Sequence, residues 1–364
     1  MVKKKYLLYP YGHETYGLVK GFLLNNKAID VIAPIGAGLI NKDISYAVNR
    51  TSTGIIVKDF REIDFKDYDT VIISSHMKYK LYEDEMLEIL DCIKKRNIEV
   101  IYLGKDEEID IRLKSCNRIV LDETQKINDK IETMIRRYNE LDMPLYKPKV
   151  PIVYIGGILE TIDSFDIGLQ IKMIMERAGY KVSLISKEMD GKIFGTMDYP
   201  MDFMAENISP ENQIISVNRY IQAIDYVEKP DIILMDIPKG MMQYSNSFHN
   251  SFGIYAYMIA QTIKPDYFIL TVPQTVLDGE YIEEINQYFK STIKKEIDIL
   301  NVSNAIYDVG TQTINELDKP LYISEKDMDV IVDGTGKDYE LSLVNLNRRE
   351  DIDFIINNII EKFA

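Results

Sequence analysis

The chain has no tryptophan, two cysteines and three histidines in 364 residues, and each scarcity excludes something. Cys92 and Cys116 lie in unrelated contexts, so neither a disulfide framework nor a cysteine-rich metal or iron–sulfur centre can be built from them. A reducing compartment, the cytoplasm, is the expectation. His13, His76 and His249 are scattered, with no spacing that marks a metal site, so no metal is expected. Basic charge is also short: 43 Lys and Arg against 58 Asp and Glu give a net charge of −15. Sequence-independent nucleic-acid binding needs clustered cations that release counterions, and that class of partner is set aside. No uncharged apolar run approaches the roughly 18 residues of a membrane span. After Met-Val-Lys-Lys-Lys the apolar stretch is only Tyr6 to Tyr9 before Pro10 interrupts, too short for a secretory h-region.

What is present is ordinary globular material, 46% apolar and 28% charged, enough for about two domains at roughly 150 residues each. The first part alternates short β-branched runs (KYLLYP, DVIAPIG, GIIV, DTVIISS, EVIYLG, RIVL) with amphipathic helical patterns such as YEDEMLEILDCIKKRN. Continuous apolar strands of four to seven residues are buried on both faces, which implies a mostly parallel sheet flanked by helices, Rossmann-like or flavodoxin-like in layout. The segment MPLYKPKVP, Met143 to Pro151, holds three prolines and reads as a stiff connector. The expected domains are therefore 1–145 and 146–364. The second restarts the alternation with PIVYIGG, a helix from about Phe165 to Ala178, KVSLIS, a helix near Asn212 to Val227, DIILMDIP and DYFILTVP.

The turn after PIVYIGG is where a phosphate-binding loop would sit, with backbone N–H groups and a helix N-terminus directed at an anion. Laying G-x-x-x-x-G-K-[ST] from Gly157 puts Ile162 at the second glycine, Asp163 at the lysine and Ser164 at the hydroxyl. A carboxylate where an ammonium should meet the β- and γ-phosphates reverses the sign of the interaction. ATP or GTP is not expected, and Asp163 or Ser164 reads as a helix cap instead. Asp236 ends the apolar run IILMD, where a carboxylate would hold magnesium. Lys192 sits between glycines in MDGKIFG, and Lys239 follows Asp236 in PKG.

The order of these stretches, with DIILMDIPKGMMQYSNSFHNSFG and KPDYFILTVP, resembles a two-domain family related to dethiobiotin synthetase that includes N-acetyl-D-glutamate racemase-like proteins. That resemblance implies a Rossmann-like first domain and a P-loop-NTPase-like second domain. The family's Gly-Lys-Thr, Thr-Gly-Gln-Thr-Gly and Glu-Gly-Gln-Gly-Ser stretches read here Ile162-Asp163-Ser164, Lys187-Glu188-Met189-Asp190-Gly191 and Asp236-Ile237-Pro238-Lys239-Gly240, a degenerate Walker A. The Tyr-, Ile- and Lys-rich chain as a whole resembles clostridial peptide maturation system proteins encoded beside radical-SAM enzymes and bacteriocin-like precursors. It implies an accessory role in maturing a ribosomally synthesised peptide, with the precursor peptide or its radical-SAM maturase as partner and without nucleotide hydrolysis.

No catalytic residue is assigned from sequence. The expected ligand-binding set is Gly156, Gly157, Asp163, Ser164, Lys192, Asp236, Lys239 and His249, the last in the donor-rich loop YSNSFHNSFG. A second crevice, at the carboxyl edge of the first sheet, is expected from His13, Glu14, Ser75 and His76, with Ser74 beside them. Gly36-Ala37-Gly38 falls short of a dinucleotide fingerprint, and DGTGKD, Asp333 to Asp338, reads as a hairpin turn. The 25 tyrosines and 16 methionines suit adaptable peptide contacts. Two other roles stand beside the accessory one: an enzyme with an unconventional phosphate or acidic-metabolite site, and a structural component of a maturation complex. A homo-oligomer is left open.

Overall fold

The computed structural model describes residues 4–119, 121–140, 144–160, 163–246, 248–274, 277, 279–307, 320–335, 341–346 and 348–363. The chain forms two compact units. One comprises Met1–Thr124 with Glu188–Gly195, the other Gln125–Lys187 with Thr196–Ala364.

The first unit is built on a parallel sheet of β1 (Lys5–Tyr9), β2 (Ala28–Val31), β3 (Thr70–Ile73), β4 (Glu99–Tyr102) and β5 (Asn117–Arg118). Its order is β2-β1-β3-β4-β5, the flavodoxin-like variant of the doubly wound layout. Helices α1 (Tyr16–Leu24), α2 (Glu83–Arg96) and α3 (Glu107–Leu113) complete the unit. Leu7, Val71, Ile73 and Val100 share a core with Met86, Ile89, Leu90 and Ile93 of α2. The ends of α2 are legible in its charges. Glu83, Asp84 and Glu85 stand in the first turn and Lys94, Lys95 and Arg96 in the last, each complementing the helix dipole, and Asn97 closes it in the left-handed region. The run GIIV forms no sheet strand: Ile56 makes one isolated bridge, to Asp43, and Lys58 just after the run makes another, to Ile32.

In the second unit, α4 (Asp122–Glu140) leads to a parallel sheet of β6 (Ile152–Gly157), β7 (Val182–Ile185), β8 (Ile232–Asp236), β9 (Tyr267–Pro273), β10 (Ile299–Ser303) and β13 (Ser342–Val344). The order is β13-β10-β9-β6-β8-β7. A two-stranded ribbon, β11 (Ala305–Ile306) with β12 (Leu321–Tyr322), stands apart from it. The helices are α5 (Ser164–Arg177), α6 (Pro210–Glu228), α7 (Ile254–Ala260), α8 (Gly279–Thr292), α9 (Glu325–Thr335) and α10 (Arg349–Phe363). Every residue of β6, β7, β8, β9 and β10 is buried, which is why these runs carry no polar alternation. Ser209 accepts from the Asn212 N–H and Pro210 follows it, so α6 starts where a capping serine and an N1 proline favour a helix.

Two boundaries differ from the sequence reading. The units divide at Thr124/Gln125 rather than at 145/146, because α4 lays Ile131 into the second core with Ile127, Met134 and Ile135 beside it. Asp333–Thr335 end α9 instead of opening a hairpin; Gly336, Lys337 and Asp338 lie outside the described residues. Among the described residues, no helix is long and apolar enough to cross a membrane.

Candidate functional site

The second unit places β6, β8 and their following turns side by side. β6 and β8 pair in parallel with Ile155 opposite Asp236, so both carboxyl ends lie on one edge. The sulfur of Met241 packs over Gly156, where a Cβ would come within 2.1 Å of it, and the Met241 N–H donates to the Gly157 carbonyl at 3.0 Å. Gly156 thus accommodates a protein side chain. Asp163 stands at the head of α5 but makes no side-chain cap bond, contrary to the capping reading. Its Oδ2 instead accepts from the Ser303 hydroxyl at the end of β10, at 2.8 Å. Ser164 is the first residue of α5, and Ile162 lies outside the described residues.

Asp236 is buried, and its Oδ2 accepts from Ser186 Oγ at 2.6 Å while Tyr199 donates to its carbonyl. Lys239 pairs with Glu160 at 2.8 Å, and Lys187 reaches the same carboxylate at 3.3 Å. One acidic side chain thereby pairs with two of the cations on this edge. His249 stacks on Phe252 with ring centroids 4.9 Å apart. Beside it, Met242, Tyr244, Asn246, Phe252 and Tyr288 line a depression of about 390 Å³. Asn250, which the sequence reading did not single out, donates to the carbonyls of Ile158 and Met242 and so fastens the loop after β8 to the turn after β6. Lys192 is not part of this arrangement, since Glu188–Gly195 belongs to the first unit.

In the first unit β1 and β3 are parallel neighbours at the point where the strand order reverses, and the crevice at such a point is where open α/β sheets bind ligands. The expected residues follow these two strands. His13 and Glu14 form a short turn directly after β1, with His13 Nδ1 3.3 Å from Glu14 Oε2. Ser74, Ser75 and His76 follow β3. Two residues not read as ligands from sequence, Glu188 and Asp190, join them from the 3₁₀ turn Met189–Phe194 and its N-cap. Asp190 is 2% exposed and Ser74 fully buried. Ser74 Oγ donates to Asp190 Oδ2 at 2.6 Å, and the Ser75 N–H donates to Oδ1 at 2.7 Å. Ser75 Oγ and the Asp190 N–H both donate to Glu188 Oε1 at 3.3 Å. His76 Nε2 lies 3.2 Å from that oxygen.

Burial alone would lower the His76 pKa, but the Glu188 carboxylate, with help from Asp190 and Glu14, outweighs it and lifts the imidazole to about 9. Burial also pushes Glu188 upward, and the contacts from His76, Asp190 and Ser75 bring it below its ordinary value. Asp190 is raised, chiefly by burial. Ser74 spends its hydroxyl proton on Asp190, so this is not a serine–histidine relay. An imidazole and two carboxylates with fixed orientations can hold a cation or exchange a proton. The only trace of this in the sequence is the pair Glu188-x-Asp190 directly after β7, and a single such pair points nowhere until the fold sets it against β3.

No family model matches the chain, and no curated protein matches it. Among solved structures, it is similar over 98% of its length and 99% of the other chain to a DUF1611 family protein from Anabaena variabilis, at 10% identity and a TM-score of 0.55. Two others are a dipicolinate synthase chain from Bacillus halodurans, at 11% identity, 74% and 81% coverage and a TM-score of 0.25, and the signal recognition particle 54 kDa protein from Aeropyrum pernix in complex with GDP, at 14%, 77% and 68%, and 0.31. The first likeness shows the fold: α/β, with two mostly parallel sheets flanked by helices.

Proposed function

We propose that the protein is an accessory component in the maturation of a ribosomally synthesised peptide, binding the precursor or its modifying enzyme without hydrolysing nucleotide. The observation that carries the nucleotide-free part is Asp163, a carboxylate standing where a triphosphate would need a cation and bonded to Ser303. A carboxylate at the head of the helix repels an incoming phosphate where a cation would attract it. Met241 packed over Gly156 supports the same reading. The depression beside His249, with Met242, Tyr244, Phe252 and Tyr288, suits a peptide, because methionine repacks and tyrosine offers a broad face with a polar tip.

The test is a thermal-unfolding comparison with and without Mg-ATP and Mg-GTP, on the unmodified protein and on Asp163→Lys. A ligand that binds the native state alone, at a hundredfold excess over its Kd, adds about 2.7 kcal/mol and would raise the midpoint visibly. We expect no rise in the unmodified chain; a rise there refutes the nucleotide-free reading. Binding of a labelled precursor peptide, weakened by Phe252→Ala and Tyr288→Ala, is the expected positive result.

A second reading rests on Lys187 and Lys239 converging on Glu160. Exposed ion pairs contribute at most about 1 kcal/mol, so an acidic metabolite able to displace Glu160 would find two cations in place. Raised affinity for small dicarboxylates in Glu160→Gln would favour it.

A further inference from the structure

We propose that His76, Glu188 and Asp190 form a binding site for one divalent transition-metal ion at the β1/β3 crossing point of the first sheet. This does not depend on the reading of the second unit.

One ligand atom from each of the three residues lies within 4.8 Å of the other two. Adjacent donors coordinated to one ion at about 2.0–2.2 Å stand about 3–3.5 Å apart, so side-chain movements of about an ångström close the set. His76 Nε2 is buried and, although 3.2 Å from Glu188 Oε1, is not aligned for a hydrogen bond to it or to any other group. The ring nitrogen is paired with Glu188 by charge rather than by an aligned hydrogen bond, and a metal ion would take the place of its proton between the two carboxylates. The carboxylates are held for the purpose: Asp190 by the Ser74 hydroxyl and the Ser75 N–H, Glu188 by the Ser75 hydroxyl and the Asp190 N–H. Such outer contacts fix the orientation of ligating groups and are a regular part of metal sites.

The donor chemistry selects the ion. One imidazole with two carboxylates suits the series from Mn²⁺ to Zn²⁺, whereas Ca²⁺ requires six to eight oxygens. With the imidazole neutral, the ligands carry two negative charges, which balance the ion. The His76 and Glu188 side chains are 30% and 26% exposed, so the site lies close to the surface of the unit. Three protein ligands leave a coordination position for water or substrate, the pattern of catalytic rather than structural sites.

The experiment uses the full chain, stripped with chelator and titrated with Co²⁺ by visible absorption and with Mn²⁺ and Zn²⁺ by calorimetry. One equivalent should bind. His76→Ala and Glu188→Gln should each weaken binding at least tenfold, Ser74→Ala by about 10- to 100-fold, and Cys92→Ser with Cys116→Ser should leave it unchanged. Absence of saturable binding, or binding that survives both His76→Ala and Glu188→Gln, overturns the proposal. Should a variant fail to fold, carbethoxylation of His76 in the unmodified chain decides: Zn²⁺ should protect this histidine, and equal labelling with and without Zn²⁺ overturns the site.

Discussion

Gly253 has a φ of +68°, and a Cβ there would stand 2.1 Å from the backbone oxygen of Met241. Gly38 has nearly the same φ, +72°, but open space around it. The pair separates conformational strain from collision. Gly38→Ala should cost about 1 kcal/mol, the penalty for placing a side chain in the left-handed region. Gly253→Ala adds a clash with backbone that cannot rotate away, and overpacking of that kind costs a further 1–3 kcal/mol or so. Denaturant midpoints of the two variants check this, and equal losses would refute the collision. Met241 itself is 1% exposed and fills the space over Gly156, so the first of the two glycines that suggested a phosphate cradle serves the packing of a methionine. Sequence shows a glycine pair after a strand in either case; it cannot show which side chain, from 85 residues further on, occupies the space.

At the scale of elements, the loop from Asp43 to Gly54 is organised by one carboxylate. Asp43 accepts from the N–H groups of Ser45, Thr53 and Gly54 and from the hydroxyls of Ser52 and Thr53. Modest burial works to raise its pKa, and the hydrogen bonds, led by those from Ser45 and Thr53, prevail and hold it well below the ordinary carboxylate range. A depressed folded pKa means stability that is present above the unfolded value near pH 4 and lost as pH falls below it. Asp43→Asn should therefore cost about 1–3 kcal/mol at pH 7, since an amide turns donors toward donors, and the gap to the unmodified protein should shrink below pH 4. A gap independent of pH would show that Asp43 acts by shape alone. The helices and buried strands of both units were legible because their signals are local: periodic apolar positions, a serine cap and proline on α6, charges sorted by sign along α2. The run GIIV was misread as a sheet strand because Asp43 directs its backbone into this loop instead, and that partner lies 11 residues from it. The crevice of His13, Glu14, Ser75 and His76 was readable as residues following strands, but Glu188 and Asp190 were not, because they arrive from 112 and 114 positions beyond His76.

At the scale of the whole chain, the two halves exchange elements. The stretch before the proline-containing connector lends α4 to the second unit, where Ile131 is 1% exposed in that core. The stretch after it lends Glu188–Gly195 to the first unit, where Asp190 holds Ser74 and Ser75. Lys147 and Lys149 of the connector are exposed, so a protease site can be introduced there without removing buried side chains. Two domains strung in series would come apart once that connector is cut. Here each fragment carries a piece of the other's fold, and removing either piece leaves apolar surface or buried hydroxyls without partners, at a cost of several kcal/mol. The nicked protein should therefore elute from gel filtration under native conditions as one species of unchanged size. Replacing Glu188 and Asp190 by alanine should loosen the C-terminal fragment's hold on the first unit, and Ile131→Asp the N-terminal fragment's hold on the second, each lowering the denaturant concentration at which the nicked halves part. Two separate fragments eluting from the unmodified nicked chain would show that the exchanged elements contribute little to holding it together.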